Sequence, residues 1–220
     1  MNAYTLEGVP ISSALVSLPS YGIWRAQVSI TDAKVLAVGS SVSLALGSLT
    51  LSGTIRDGGA YQGRASYRVV GGADGWPRVI PCRAYASRSG VHLSEVASDL
   101  ASEVGERIVV EPGVEPLLGA SWARLEGPAS VALDSLAPSW WVAADGVTHL
   151  GKRPVVDVQL GHTLLDYDPS RRRLQTAVRD EAMGLLAPGI RFKTDFGQVR
   201  AVSIGIRVCP EHVVTEMLHA

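Results

Sequence analysis

The chain has 220 residues, 46% hydrophobic and 19% charged, which excludes wholesale disorder because that needs low hydrophobicity and a large net charge. A formal net charge of −1 excludes a protein whose whole surface grips nucleic acid, since such domains are strongly basic, but leaves room for a local basic patch. No run of about 18 apolar residues occurs, so no membrane-spanning helix or membrane insertion is expected.

The N-terminal segment, residues 1–13, lacks a basic stretch followed by an apolar core, and no secretory signal is expected. With 23 glycines and 12 prolines among abundant valine and serine, short strands joined by tight turns are the expected building blocks. Trp24, Ala26, Val28 and Ile30 alternate with Arg25, Gln27 and Ser29, the period of a half-buried antiparallel strand. Leu49, Leu51, Gly53 and Ile55 repeat it, and Asp57-Gly58-Gly59 reads as the turn that follows. Two more strands are expected at Tyr61–Val70 and Trp76–Tyr85, with Pro77 and Pro81 placing the second at an edge or splitting it. Residues 1–87 therefore read as a small barrel or sandwich.

After Ser89 the period changes. Leu93, Val96, Ala97, Leu100, Ala101 and Val104 form one apolar stripe of a helix that Gly105 closes as a left-handed cap. Arg107–Val110 reads as a strand. Gly127-Pro128 opens a second helix, with Pro128 in its first turn and Ala129, Ala132, Leu133 and Leu136 on its buried face. Trp140–Ala144 and Val147–Leu150 spell a hairpin around a type I′ turn at Asp145-Gly146. Residues 88–151 are thus an α+β insert.

Strands return in residues 152–220, at Val155–Leu160, Leu164–Tyr167, Leu174–Val178, Ile190–Phe196 and Gln198–Cys209, where Pro210 ends the last. The tail Glu211–His219 reads either as a short amphipathic helix with Val213, Val214, Met217 and Leu218 inward or as an extended segment. The fold class is α+β and mostly β: two small β units flanking a compact insert.

Motifs that carry chemistry are missing: no GxSxG, HExxH, GxxxxGK[ST] or GxGxxG is present. His92, His149, His162, His212 and His219 are scattered without ligand spacing and read as surface or packing histidines, so no metal and no cofactor is expected. Asp99 and Glu103, four apart on the polar face of the first helix, read as a solvated face. Cys82 and Cys209 read as small buried apolar residues, with a disulfide as the alternative. Arg171-Arg172-Arg173 is the strongest local charge: either a contact for phosphate or an acidic partner, or a solvated hairpin tip partly neutralised by Asp166 and Asp168. Adjacent Trp140 and Trp141 point to opposite faces of a strand, so one needs cover from beyond its own sheet, from a neighbouring domain or subunit. By residues alone the chain is a β-rich binding or structural protein, not an enzyme.

One ordered set of segments carries a resemblance: the helix His92–Gly105, then Trp122-Ala123-Arg124, Gly127-Pro128-Ala129, Leu133-Asp134-Ser135-Leu136 and the run Trp141–Gly151. It resembles part of the hub proteins of phage tails and baseplates, including the hub of contractile-tailed phages and the first part of the VgrG spike of type VI secretion. The resemblance implies two tail-tube-like β-barrels, residues 1–87 and 152–209, around the insert. It further implies a homotrimeric ring joining a sixfold tail tube to a threefold central spike and lining the channel for genome ejection. The implied partners are a tail tube or distal tail protein, the spike protein and other baseplate proteins, with DNA only as passing cargo. The implied location is the virion's tail tip, assembled in the bacterial cytoplasm. The chain is shorter than the large contractile-tail hubs and has no appended spike or lysozyme domain, which implies that a separate polypeptide supplies the spike. Trp140, Trp141, Val213, Met217 and Leu218 are the expected subunit interface, and Arg171, Arg172 and Arg173 the expected partner contact. A tail-tip cell-wall hydrolase and a carbohydrate-binding β-sandwich are the alternatives.

Overall fold

Thr5 lies opposite Pro10 and Leu6 opposite Val9, and this short pairing closes a barrel. In the computed structural model, which describes residues 4–31, 35–114, 116–209 and 212–220, the barrel comprises β1 (Tyr4–Leu6), β2 (Val9–Leu18), β3 (Arg25–Ile30), β4 (Ser41–Leu46), β5 (Leu49–Tyr61) and β6 (Arg64–Gly71). They run antiparallel in the order β1-β4-β5-β6-β3-β2 and return to β1. The alternation seen in the sequence is what fills it: Val16, Val28, Ile30, Leu44, Leu46 and Ile55 are all fully buried inside. Gly53 and Gly71 face each other beneath Trp24, where a Cβ would stand 2.8 Å and 2.5 Å from the indole, so only glycine admits the ring.

The turn expected at Asp57–Gly59 is not there. β5 runs on through these residues with a register slip between Ile55 and Asp57, and the chain reverses at Gln62-Gly63, both with positive φ (49° and 77°). Glycines inside a strand mark a bulge and close approach as readily as a turn. The segment Trp76–Tyr85 splits at Pro81 into β7 (Val79–Ile80) and β8 (Arg83–Ala86). These pair with β11 (Gly127–Pro128) and β10 (Ser121–Arg124) and not with the barrel's strands.

Within the insert, α1 (Leu93–Val104) buries the expected stripe, and Gly105 (φ 75°) caps it. In α2 (Ala129–Leu136) the expected Ala129, Ala132, Leu133 and Leu136 are buried, with Pro128 standing just before the first turn. Three short strands complete it: β9 (Ile108–Val110), β12 (Trp140–Val142) and β13 (Thr148–Leu150). In the β12–β13 hairpin Gly146 (φ 77°) has positive φ and Asp145 does not. The turn is therefore not type I′, which needs both; the Asp145 carboxylate instead accepts the Val147 N–H at 3.0 Å.

The last third supplies β14 (Val156–Asp157), β15 (His162–Asp168), β16 (Arg173–Val178), β17 (Ile190–Thr194), β18 (Gly197–Cys209) and β19 (His212–His219). Their order is β14-β17-β18-β19-β16-β15, and among the described residues β14 and β15 do not pair with each other, so this unit is open between them. A short 3-10 helix, Asp180–Leu185, was not foreseen. The tail takes the extended alternative and excludes the helix: β19 fills the edge between β18 and β16, with Thr215 and Met217 buried at period two. An unpaired ladder along β18 outweighs weak local helix preference. Pro210 and Glu211, expected at this boundary, lie outside the described residues. Cys82 is exposed and Cys209 half-buried, both as free thiols, which corrects the buried reading.

The two β units share one sheet. Residues Ile204–Val208 of β18 pair antiparallel with Ala14–Leu18 of β2, so the ladder passes from one unit into the other.

Candidate functional site

Three bodies meet around the barrel's rim, and the contacts between them are mostly hydrogen bonds to backbone. The Trp24 indole N–H donates to the Ala143 carbonyl at 3.1 Å, and the Ser52 N–H donates to the Ala144 carbonyl at 2.7 Å. Gly22 exchanges two bonds with β12: its N–H reaches the Trp140 carbonyl at 2.8 Å, and its carbonyl accepts the Val142 N–H at 3.0 Å. Below them the Glu106 carboxylate, 7% exposed, accepts the N–H groups of Ala73 (3.0 Å) and Gly75 (2.7 Å). Burial pushes its carboxyl pKa up, while the two N–H donors pull it down by less. On the other flank Ser48 donates through its N–H and hydroxyl to the Asp180 carbonyl, at 2.9 and 2.8 Å. Tyr4 donates its hydroxyl to the Asp180 carboxylate, and burial raises its phenol above the usual range.

This joint resolves the question of the paired tryptophans. Trp140 is 3% exposed: it packs between Tyr21 and Trp76, and its N–H donates to Asp134 at 2.7 Å and Tyr21 at 3.0 Å. Trp141, 5% exposed, stacks on His149 with ring centroids 5.1 Å apart, and the Arg153 guanidinium lies 4.7 Å from its centroid. His149 Nδ1 is 2.6 Å from Glu111 Oε1. Burial pushes Arg153 down to about 10. The cover comes from other segments of the same chain, the neighbouring-domain alternative of the two expected. Arg153, in the linker after the insert, is what sequence reasoning lacked; no sequence signal pairs it with Trp141.

The remaining expected site residues are dispersed. Met217 is fully buried in the core and is no surface residue; Val213 is half-buried and Leu218 is exposed. Arg171–Arg173 form the β15–β16 hairpin tip, where Arg171 lies 3.6 Å from Asp168, and Arg173 lies 3.4 Å from Asp166 and 3.8 Å from Glu216. Arg172 sits at the turn with φ 50°. Partial neutralisation by Asp166 and Asp168 is therefore present in the geometry. Asp99 and Glu103 lie on a partly solvated face, as expected, and each carries an ion pair there. Asp99 pairs with Arg83 at 2.9 Å, and Glu103 pairs with Arg124, whose side chain is 2% exposed. These ties fasten α1 to β8 and β10, so neither carboxylate stands free as an acid or base. Among the described residues no three His, Cys, Asp or Glu side chains gather as a metal site.

No protein-family model matches the chain, and no curated protein matches it by sequence. Solved structures do. One is the c3393 protein of E. coli, described as a component of the type VI secretion system with structural similarity to the T4 bacteriophage tail proteins gp27 and gp5; the TM-score is 0.68 at 12% identity, over 98% of this chain and 76% of that one. A tail protein of Neisseria meningitidis MC58 gives 0.68 at 13% identity, over 99% of this chain and 95% of that one. The 43 kDa tail protein of prophage MuSo2 from Shewanella oneidensis gives 0.69 at 7% identity, over 99% and 96%. At these identities the likeness is one of fold, and it extends over the whole chain, flanking β units included. Of the fold expected from the resemblance, the mostly β class, the helical insert and one closed six-stranded barrel are present; the second β unit is open between β14 and β15.

Proposed function

We propose that the chain is a structural tail protein, a hub that assembles as a homotrimeric ring between a sixfold tail tube and a threefold central spike and lines the channel for genome ejection. The observation that carries this reading is the fold shared with phage and type VI secretion tail proteins over 98–99% of the chain. A tube of hexamers cannot end on a trimeric needle without an adapter. Two β units per chain, joined edge to edge through β2 and β18, let three chains present six units while keeping threefold symmetry. Closed cyclic symmetry makes each contact heterologous. The chain supplies two unlike edges for it, β14 with exposed Val156 and Val155 just before it, and β15 with exposed Leu165. Leu218 and the Arg171–Arg173 tip border the β15 side and complete the contact surface.

The partners in this reading are a tail tube or distal tail protein, a spike protein and other baseplate proteins, within a virion tail tip assembled in the bacterial cytoplasm. The role is structural and not enzymatic. A reconstruction of the assembled tail tip tests it: three copies in one ring below the tube are expected, and a single copy, or a position away from the channel axis, contradicts it.

A further inference from the structure

Basic side chains without a carboxylate partner are spread over the whole chain, and burial singles out one of them. Among the described residues, every lysine and arginine that lies beyond ion-pairing distance of a carboxylate is exposed, except Arg153. Arg153 is half-buried where the barrel, the insert and the second β unit meet. Its guanidinium lies 4.7 Å from the Trp141 ring centroid, and Nη1 donates to the Pro188 carbonyl at 3.3 Å. The Nε–H is buried without a protein acceptor. An indole face attracts the charge but offers the planar N–H fork no lone pairs. Burial pushes the guanidinium down to about 10, which leaves it charged at neutral pH. Beside it lies a cavity of about 90 Å³. Leu18, Trp24 and Leu51 of the barrel, Trp141 of the insert and Leu186 of the second β unit line it, and Arg153 is the single charged residue in its wall.

We infer that this cavity binds one carboxylate on a short aliphatic stem, with the Arg153 fork on the carboxylate and the apolar wall against the stem. A buried cation is ordinarily paired, and a guanidinium matches a carboxylate with two parallel N–H bonds. One water occupies about 30 Å³ in the liquid, so the space suits a group of a few heavy atoms. A phosphate ester brings more charge and three strong acceptor oxygens, which one cation in an apolar wall leaves unmatched. The carboxylate belongs either to a small free acid or to an aspartate or glutamate of a neighbouring chain. The site is a property of the single chain and goes beyond the hub reading without resting on it.

Propionate is the probe, with propionamide at equal concentration and chloride at equal ionic strength as controls. The full chain is titrated and followed by tryptophan fluorescence, since Trp24 and Trp141 stand in the cavity wall, and by thermal melts. Propionate is expected to give a saturable fluorescence change and a higher Tm, and neither control gives either. Arg153→Met removes both responses. Arg153→Lys keeps the charge without the fork and weakens binding several-fold. Ala187→Phe, at an exposed position of the lining, keeps the charge, obstructs the cavity and also removes both responses. Melts identify any variant that fails to fold, and the remaining variants then carry the comparison. No response to propionate, an equal response to propionamide, an undiminished response in Arg153→Met or Ala187→Phe, or tighter binding of inorganic phosphate overturns the inference. Repeating the titration on the assembled tail separates the two sources: a response kept there marks a free acid, and a response lost there marks an acidic side chain of a neighbouring chain. Both support a carboxylate site. The number of copies in the tail is independent of these outcomes.

Discussion

The indole N–H of Trp24, on the wall of the barrel, donates to the carbonyl of Ala143 in the insert's hairpin, 119 residues later, at 3.1 Å. One side chain thus fills the barrel, lies over Gly53 and Gly71, and satisfies a backbone acceptor of the neighbouring body. Trp24→Phe keeps most of the apolar contact and removes the donor. The expected loss is about 0.5–1.5 kcal/mol, the net worth of one hydrogen bond, because the Ala143 carbonyl keeps the Gly146 N–H at 3.1 Å. Urea unfolding checks it, and an unchanged midpoint would show that the hairpin docks without this bond.

The Glu103–Arg124 pair joins α1 to β10 with the guanidinium almost fully enclosed. Removing one partner of a buried pair leaves an uncompensated charge, which costs about 3–5 kcal/mol when burial is complete. Glu103 is 26% exposed, so Glu103→Ala is placed at the lower end, about 3 kcal/mol. Glu103→Ala combined with Arg124→Met is expected to be less destabilised than Glu103→Ala alone. Additive losses in that double-mutant cycle would contradict the assignment.

Leu100 and Leu133 are both fully buried, one in each helix of the insert. Truncating either to alanine is expected to cost about 2–5 kcal/mol. Melting curves of Leu100→Ala and Leu133→Ala that overlay the parent would refute the core assignment.

Both leucines were legible in the sequence because a helix face is a local property, repeated over successive turns of 12-residue α1 and 8-residue α2. The alternation of β3 was legible for the same reason. The turn at Asp57–Gly59 was misread because glycine serves bulges as well as turns, and only the partner strand decides. The tail Val213–Leu218 was left open between helix and extended chain because its conformation is set by the vacant edge of β18, a residue range far from its own neighbours. The tryptophan pair was read correctly as needing cover, but the covering groups, Tyr21 and Arg153, belong to other segments. The arginine partners of Asp99 and Glu103 are not legible in the sequence because they come from β8 and β10, which pair with each other across the insert.

Glu106 gives the joint a pH dependence with a definite sign. Its carboxyl is raised in the folded protein, chiefly by burial, so the folded state binds the proton more tightly than the unfolded chain. The stability linked to that proton is present below the unfolded value, about 4.3, and is lost as pH rises through the raised folded value. Asp157 and Asp168 are held low, first by the hydrogen bonds from Arg191 and from Ser170, and act in the opposite direction. They cancel in the difference between the parent and Glu106→Gln. That difference, from urea midpoints across the mildly acidic range, is expected to move in the parent's favour as pH falls; a flat difference would show that the carboxylate is not desolvated.

The central claim is that three copies close around a channel, and the mass of the particle tests it most directly. Light scattering on the purified chain, alone and mixed with its tail neighbours, is the measurement. The ring predicts a species of three chains in the assembled state, with Leu218 and the β14 and β15 edges shielded from solvent. A monomer or dimer that persists in the assembled tail would contradict it.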